Sequence, residues 1–152
     1  MKIIISIISL LVTLSAFPVT VEIKNLCEDS SYFSQEVEIF TKTTAGHLSV
    51  YTFNQEKIPF IGNENGITGL LGTPQGLDAY EVIADDHMRV YGWCYSVDGS
   101  RPSVLASEYP IEPNSDFKLT WFYAYAELIG DKWISYCTPV FMNPNSFVCG
   151  QK

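Results

Sequence analysis

The stretch HMRVYGWCYSV, residues 87–97, decides the fold class of this chain of 152 residues. Successive side chains of a strand point to opposite sides of a sheet, so alternate residues share a face. One face of this stretch carries His87, Arg89, Tyr91, Trp93, Tyr95 and Val97. After the turn signal Asp98-Gly99, a later stretch alternates in the same way, with Phe117, Leu119, Trp121, Tyr123 and Tyr125 on one face. The two stretches predict long strands of an antiparallel sheet.

Shorter alternating segments on both sides extend the predicted sheet. They are Val19 to Ile23, Val37 to Ile39, Ala79 to Ala84 before the turn Asp85-Asp86, and Lys132 to Cys137 after the turn Gly130-Asp131. The segment Thr43 to Phe53 fits a short helix capped by Thr43 or Thr44 about as well as a strand. The glycine-rich stretch Ile61 to Gly76 predicts a loop that crosses one end of the sheet. We therefore expect a mainly β domain with a minor α+β component. It should be a small disulfide-bonded antiparallel sheet with about one short helix.

The N-terminus predicts export. Lys2 precedes a short apolar run from Ile3 to Leu14, and the small pair Ser15-Ala16 follows, which is the pattern of a secretory signal peptide covering residues 1–16. The mature chain, residues 17–152, is predicted to form a single domain with a cysteine-bearing tail from about residue 126. No other stretch has the length of a membrane span, so we expect none after cleavage.

Four cysteines in an exported chain predict two disulfides rather than catalytic thiols. The candidates are Cys27, Cys94, Cys137 and Cys149. Their wide spacing lacks the close pairs typical of zinc sites, and we predict no metal site. The spacing leaves all three pairings open. We expect at least one of the two tail cysteines to bridge to Cys27 or Cys94, which would fasten the tail to the sheet.

Charge and motifs restrict the functional classes. A formal net charge of -8 and a pI of about 4.6 exclude nucleic acid as a partner, since the chain would repel a phosphate backbone. There are two histidines, and no G-x-S-x-G or H-E-x-x-H motif is present. We predict that the protein is not an enzyme. The group Asp85, Asp86 and His87 is expected to be a solvated turn rather than a cation site, and His47 an ordinary structural histidine.

Six aromatic residues are more than one small core should need. They are Tyr91, Trp93, Tyr95, Trp121, Tyr123 and Tyr125. They can pack internally or form a stacking surface for a ligand. We expect the core to take most of them and leave open that some are exposed for binding.

The segment from Tyr91 to Tyr123 resembles the C-terminal domain of transcobalamin and intrinsic factor and of related secreted proteins. The resemblance covers roughly residues 19–125. Its features are an aromatic-Trp strand, an Asp-Gly turn, a proline, an Ala-x-x-Tyr motif, a polar turn and a closing strand. In this chain they are Trp93, Asp98-Gly99, Pro102, Ala106 with Tyr109, residues 113–116 and residues 117–123.

The resemblance implies a small antiparallel β domain with about one helix, whose aromatic strand and loops face a corrinoid. By position, Trp93, Cys94 and Tyr95 would lie nearest that ligand. In the vitamin carriers a large helical barrel supplies the other side of the site, and no segment of this chain resembles it. The resemblance therefore implies a corrinoid as candidate ligand, bound from one side.

Two functional hypotheses follow for a secreted, extracellular protein, which in a bacterium would be periplasmic or at the cell surface. The first is a non-catalytic module that binds a small, flat, hydrophobic molecule such as a corrinoid. The second is a module that presents the same aromatic face to an extracellular protein or glycan. The predicted ligand-binding residues are Tyr91, Trp93, Cys94 and Tyr95, with Gly66 and Gly69 in the loop that closes around the ligand.

Overall fold

The computed structural model describes residues 18–143 and 148–149. The predicted signal peptide, residues 1–16, lies outside the described residues. The elements in chain order are β1 (Pro18–Lys24), β2 (Ser31–Glu38), β3 (Thr43–Thr44), α1 (Ala45–Gln55), β4 (Phe60–Asn63), β5 (Gly66–Leu70), β6 (Tyr80–Ala84), β7 (His87–Val97), β8 (Pro110–Ile111), β9 (Lys118–Ile129) and β10 (Lys132–Pro139). These described residues are mainly β with one α-helix, as predicted.

The main sheet has six strands in the order β2-β1-β9-β7-β6, with β10 paired to β9. β7 and β9 form its centre, and they pair antiparallel from His87 opposite Ile129 to Val97 opposite Leu119. The predicted turns Asp85-Asp86, Asp98-Gly99 and Gly130-Asp131 are confirmed. In β7 the face of Tyr91, Trp93 and Tyr95 is the more deeply buried one, whereas β9 is buried on both faces from Leu119 to Tyr125.

One pairing in the sheet is parallel, which makes the sheet mixed rather than purely antiparallel. β1 lies beside the first half of β9, with Val21 opposite Leu119. β10 pairs antiparallel with the second half of β9, with Trp133 opposite Leu128. A parallel pair needs a long crossover, and here most of the chain between β1 and β9 supplies it. Local alternation does not record strand direction.

The ambiguous segment after Thr43 is a helix, and its N-cap is Thr44. The Thr44 side chain accepts a hydrogen bond from the backbone N–H of His47 at 3.2 Å. α1 covers the sheet, and it is linked to the sheet by a short hydrogen-bonded chain. The indole N–H of Trp121 donates to Ser49 Oγ at 2.8 Å, and that hydroxyl donates to the carbonyl of Ala45 at 2.7 Å.

The prediction of a loop over Ile61 to Gly76 is wrong for its first half. β4 and β5 form an antiparallel hairpin with Asn63 opposite Gly66. The ladder is irregular between Ile61 and Gly62, where Gly62 has a φ of 136° that favours glycine. A side chain at Gly69 would come within 2.2 Å of Gln75 Nε2. The glycines therefore permit a bulge and close packing inside a regular element.

Two disulfides join the tail to the rest of the domain. Cys27 is bonded to Cys149 and Cys94 to Cys137, with sequence separations of 122 and 43. The expectation that a tail cysteine bridges to Cys27 or Cys94 is confirmed for both tail cysteines. By the chain-entropy estimate, loops of these lengths stabilise the fold by about 4 to 5 kcal/mol each. No helix in the described part of the chain is long and apolar enough to cross a membrane.

Gly46 permits the close approach of α1 to the β4–β5 hairpin. A Cβ atom built on this residue would lie 1.8 Å from the carbonyl oxygen of Glu64. The backbone N–H of Gly46 also donates to the carbonyl of Ala106 at 2.8 Å, so the helix start is held on two sides. Neither neighbour can yield without moving backbone.

We predict that Gly46→Ala lowers the free energy of unfolding by about 1 to 3 kcal/mol, although alanine favours a helix by about 1 kcal/mol. Chemical denaturation of the oxidised protein measures this change. Gly92→Ala is the matched control, because a Cβ there meets no atom within 4 Å. A Gly46→Ala variant as stable as the control would contradict the close contact.

Candidate functional site

The outer edge of β7 is open along its second half. Pairing with β6 ends where Tyr80 lies opposite Val90. The backbone N–H of Asp98 donates toward β9, to the carbonyl of Lys118 at 2.9 Å, whereas the N–H of Val97 donates away from β9, to Ser100 at 2.8 Å. Because the direction alternates along a strand, the N–H and C=O groups of odd-numbered residues point away from β9.

Trp93 and Tyr95 therefore direct their backbone groups to an edge that no described strand pairs. Beside this edge lies a cavity of about 660 Å³, which we name the edge cavity. Its walls include Gly66, Trp93, Cys94, Tyr95, Arg101 and Leu105. The cavity is bounded by the strand, the tip of the β4–β5 hairpin and the loop of residues 101–108.

A hydrogen bond to β7 and hydrogen bonds within the loop hold the far wall of the edge cavity. The Tyr95 hydroxyl donates to the carbonyl of Val104 at 2.8 Å. The carbonyl of Leu105 accepts hydrogen bonds from the backbone N–H groups of Glu108 and Tyr109, at 2.9 and 3.2 Å. Burial raises the pKa of Tyr95 above its ordinary value, and the protonated hydroxyl is the donor in this bond.

The aromatic residues of β7 and β9 belong to the core. Tyr91, Trp93 and Tyr95 are only 5%, 8% and 8% exposed, and Trp121, Tyr123 and Tyr125 of β9 are buried as well. The rings of Trp93 and Tyr123 pack with centroids 5.5 Å apart. The expectation that most of these rings form the core is confirmed, and the alternative of an exposed stacking surface is wrong for all six. A sheet covered by one helix and one hairpin needs large side chains to fill the space beneath them.

The edge cavity brings together four of the six residues predicted from sequence to bind a ligand. They are Gly66, Trp93, Cys94 and Tyr95. Tyr91 and Gly69 are not on its walls. Gly69 is buried against Gln75, and the Tyr91 hydroxyl donates to Glu81 Oε2 at 2.5 Å.

Sequence reasoning missed the rest of the cavity wall. Arg101, Leu105 and Tyr136 come from a loop and from β10, and the guanidinium of Arg101 lies 6.0 Å from the centroid of the Tyr136 ring. Residues 101–108 carry no hydrophobic period, so no local signal would have placed them beside Trp93.

Within the group at the β6–β7 turn, His87 belongs to a charged cluster with Glu127 and Arg89. His87 Nε2 lies 2.7 Å from Glu127 Oε1, and Arg89 Nη2 lies 2.9 Å from the same oxygen. The hydrogen bond to His87, with the contribution of Arg89, holds the pKa of Glu127 below its usual value despite its burial. Asp85 and Asp86 are exposed. Across residues 18–143 and 148–149, no three His, Cys, Asp or Glu residues are grouped so as to hold a metal ion.

The opposite face of the sheet holds a buried carboxylate that sequence analysis did not single out. Glu22 is 3% exposed and accepts hydrogen bonds from Thr120 Oγ1 at 2.9 Å and from the Ser31 hydroxyl. Lys118 Nζ lies 3.5 Å and Lys24 Nζ 4.0 Å from Glu22 Oε1. Burial raises the pKa of Glu22, but these hydrogen bonds and positive charges outweigh it and lower the pKa overall.

Comparisons with known proteins give one distant structural likeness. No family model matches the chain, and no curated protein is similar to it. A crystal structure of a protein from Ruminococcus gnavus, described as a "putative metal binding protein", is similar over 72% of this chain and 99% of its own length. The identity is 17% and the TM-score 0.40.

We predict that Trp93→Ala lowers the free energy of unfolding by about 3 to 5 kcal/mol, because it empties a core position. Thr73→Val should cost about 1 kcal/mol, since Thr73 Oγ1 accepts the indole N–H of Trp93 at 2.9 Å. Trp133→Ala is the matched control, because Trp133 is 43% exposed and should cost less than about 1 kcal/mol. Equal costs for the two tryptophans would contradict the core position of Trp93.

The pKa of Glu22 predicts a loss of stability in acid. Its folded-state pKa lies below the usual 4.5, so its contribution is complete above that pH and declines as the pH falls through the folded-state value. Glu22→Gln should lower the free energy of unfolding by about 1.5 to 3 kcal/mol at pH 7 and by less at pH 3. Denaturant titrations at both values measure this, with Glu36→Gln on the exposed side of β2 as control. An equal cost at the two pH values would exclude a role for the Glu22 charge.

Proposed function

We propose that this chain is a secreted, non-catalytic binding module that holds a flat hydrophobic small molecule, of which a corrinoid is one example, in the edge cavity. The observation that carries the proposal is the meeting of Gly66, Trp93, Cys94 and Tyr95 on the walls of this cavity. Trp93, Cys94 and Tyr95 are consecutive on β7, and the fold brings Gly66 of the β4–β5 hairpin to them. Their common location supports the site.

The size and lining of the edge cavity suit a ligand that inserts one side. Its volume of about 660 Å³ lies within the range of about 300 to 1,000 Å³ that is usual for small-molecule sites. Apolar contacts come from Val104, Leu105 and the disulfide of Cys94, and the polar groups at hand are those of the strand backbone and Arg101. Because the rings of Trp93 and Tyr95 are buried, the ligand would meet mainly the strand edge rather than open ring faces.

Export of the chain is part of the proposal and rests on two observations. The first sixteen residues have the composition of a signal peptide, and all four cysteines are paired in disulfides. Disulfides persist in oxidising compartments such as the extracellular space and the bacterial periplasm. A binding protein in such a compartment would meet ligands from the surroundings.

A second candidate function, an interaction module, is favoured by the backbone of β7. The N–H and C=O groups of Trp93 and Tyr95 face an edge without a paired strand among the described residues. An extended peptide can add to such an edge as a further strand, with main-chain hydrogen bonds giving affinity. The edge cavity would then hold a peptide side chain instead of a whole small molecule.

Titration with hydroxocobalamin and with a simpler porphyrin tests the first candidate. We expect saturable binding with a Kd of about 1 μM or weaker, equivalent to roughly 8 kcal/mol, because the edge cavity meets only one side of such a ligand. Gly66→Trp should weaken binding at least about tenfold, since a Cβ at position 66 meets no atom within 4 Å and the ring would occupy space at the cavity wall.

Ile61→Trp is the control, because Ile61 is exposed on the same hairpin and is absent from the cavity wall. If Gly66→Trp leaves the affinity unchanged, the ligand does not bind in the edge cavity. If neither flat ligand binds, and a glycan panel or an extended peptide binds instead, the interaction module replaces the small-molecule proposal.

A further inference from the structure

A second cavity lies on the opposite face of the sheet from α1, and we name it the sheet-face cleft. Its volume is about 590 Å³, and its walls include Glu22, Arg101, Lys118, Phe122, Tyr136 and Phe141. The side chains of Glu22, Thr120 and Phe122 alternate with buried core residues of β1 and β9, so they project from the face that α1 does not cover.

Covalent and backbone constraints give the cleft its cover. The β9–β10 ladder is irregular between Ser135 and Thr138, and Cys137 has a φ of 53°. At this irregularity the disulfide from Cys137 to Cys94 holds the chain against β7. Residues that follow, Pro139 and Phe141, complete the cover. The cleft is thus built by a cross-linked segment and is not a simple surface depression.

Positive charge is concentrated around the cleft. Lys24, Arg101 and Lys118 are three of the chain's nine basic residues, although the net charge of the protein is -8. Glu22 is the acidic residue on the cleft wall, and its carboxylate already accepts hydrogen bonds from the hydroxyls of Ser31 and Thr120. Lys24 contacts Asp29 at 2.8 Å.

Arg101 and Lys118 are the two cations of the cleft that can meet a ligand, and Lys118 also pairs with Glu22. Arg101 forms no ion pair with any of the described residues and lies over the ring of Tyr136. The Lys118 side chain is 52% exposed, and its nearest carboxylate oxygen, on Glu22, is 3.5 Å away. Phe122, Phe141 and Met142 supply apolar surface in the same space. A group that combines one negative charge with an apolar body is complementary to this arrangement.

We propose that the sheet-face cleft binds a monoanionic amphiphile, a carboxylate with an apolar chain. The carboxylate contacts Lys118 and Arg101, and the apolar chain packs against Phe122, Phe141 and Met142. The proposal does not depend on the function proposed for the edge cavity. Arg101 lies on the walls of both cavities.

The probe is dodecanoate, kept below its micelle-forming concentration. Two control ligands carry the same apolar chain: dodecanol has no charge, and dodecyltrimethylammonium has a positive charge. We expect calorimetric titration of the oxidised full chain to give one dodecanoate per protein and at least about tenfold weaker binding of the other two. Lys118→Met and Arg101→Met should each weaken dodecanoate binding about fivefold or more. Lys118→Arg keeps the positive charge and should bind dodecanoate about as tightly as the unmodified protein. Lys42→Met is the control, because Lys42 pairs with Glu112 away from the cleft.

Two results would overturn the proposal. One is equal binding of the three probes, which would reduce the cleft to an apolar surface. The other is dodecanoate binding that neither Lys118→Met nor Arg101→Met changes. Thermal unfolding of each variant separates loss of binding from loss of fold, since Lys118 also contacts Glu22. Gly66→Trp should leave dodecanoate binding unchanged, and a loss there would place the probe in the edge cavity instead.

Discussion

The pairing of β7 with β9 is the constraint on which the rest of the structure depends. Eleven consecutive residue pairs, from His87 with Ile129 to Val97 with Leu119, form without a bulge. A slip of one residue would exchange every buried side chain for one of the opposite face. The register therefore determines at once that Trp93, Tyr95, Trp121 and Tyr123 lie under α1 and the hairpin. It also determines which backbone groups of β7 remain at the outer edge.

Both cavities border the β7–β9 pair, one at the outer edge of β7 and the other on the sheet face opposite α1. The edge cavity exists because β6 stops pairing at Val90, while β7 continues to Val97. The sheet-face cleft exists because the face opposite the helix is covered by β10 and the tail and not by a second layer. The buried charge of Glu22 is stable on that face because two hydroxyls and two lysines surround it.

The Cys94–Cys137 disulfide connects the two cavities. Cys137 is on the walls of both, and Arg101 and Tyr136 are as well. The bond holds β10 to the central strand at the point where its ladder with β9 is irregular.

Local periodicity and turn chemistry were enough to predict part of the fold. This part comprises the central strands, their turns, the mainly β class and a bridge from the tail to the sheet. The sequence left the segment from Thr43 to Phe53 ambiguous, because its apolar residues fit the helical period and the strand period about equally. Packing against Trp121 favours the helix. The sequence predicted a loop where Gly62 and Gly69 serve a hairpin, since composition does not reveal that glycine permits close packing. Long-range packing produced the parallel β1–β9 pair, the burial of Glu22 and the meeting of Arg101 with Trp93. No local pattern predicts them, because each depends on segments far apart in the chain.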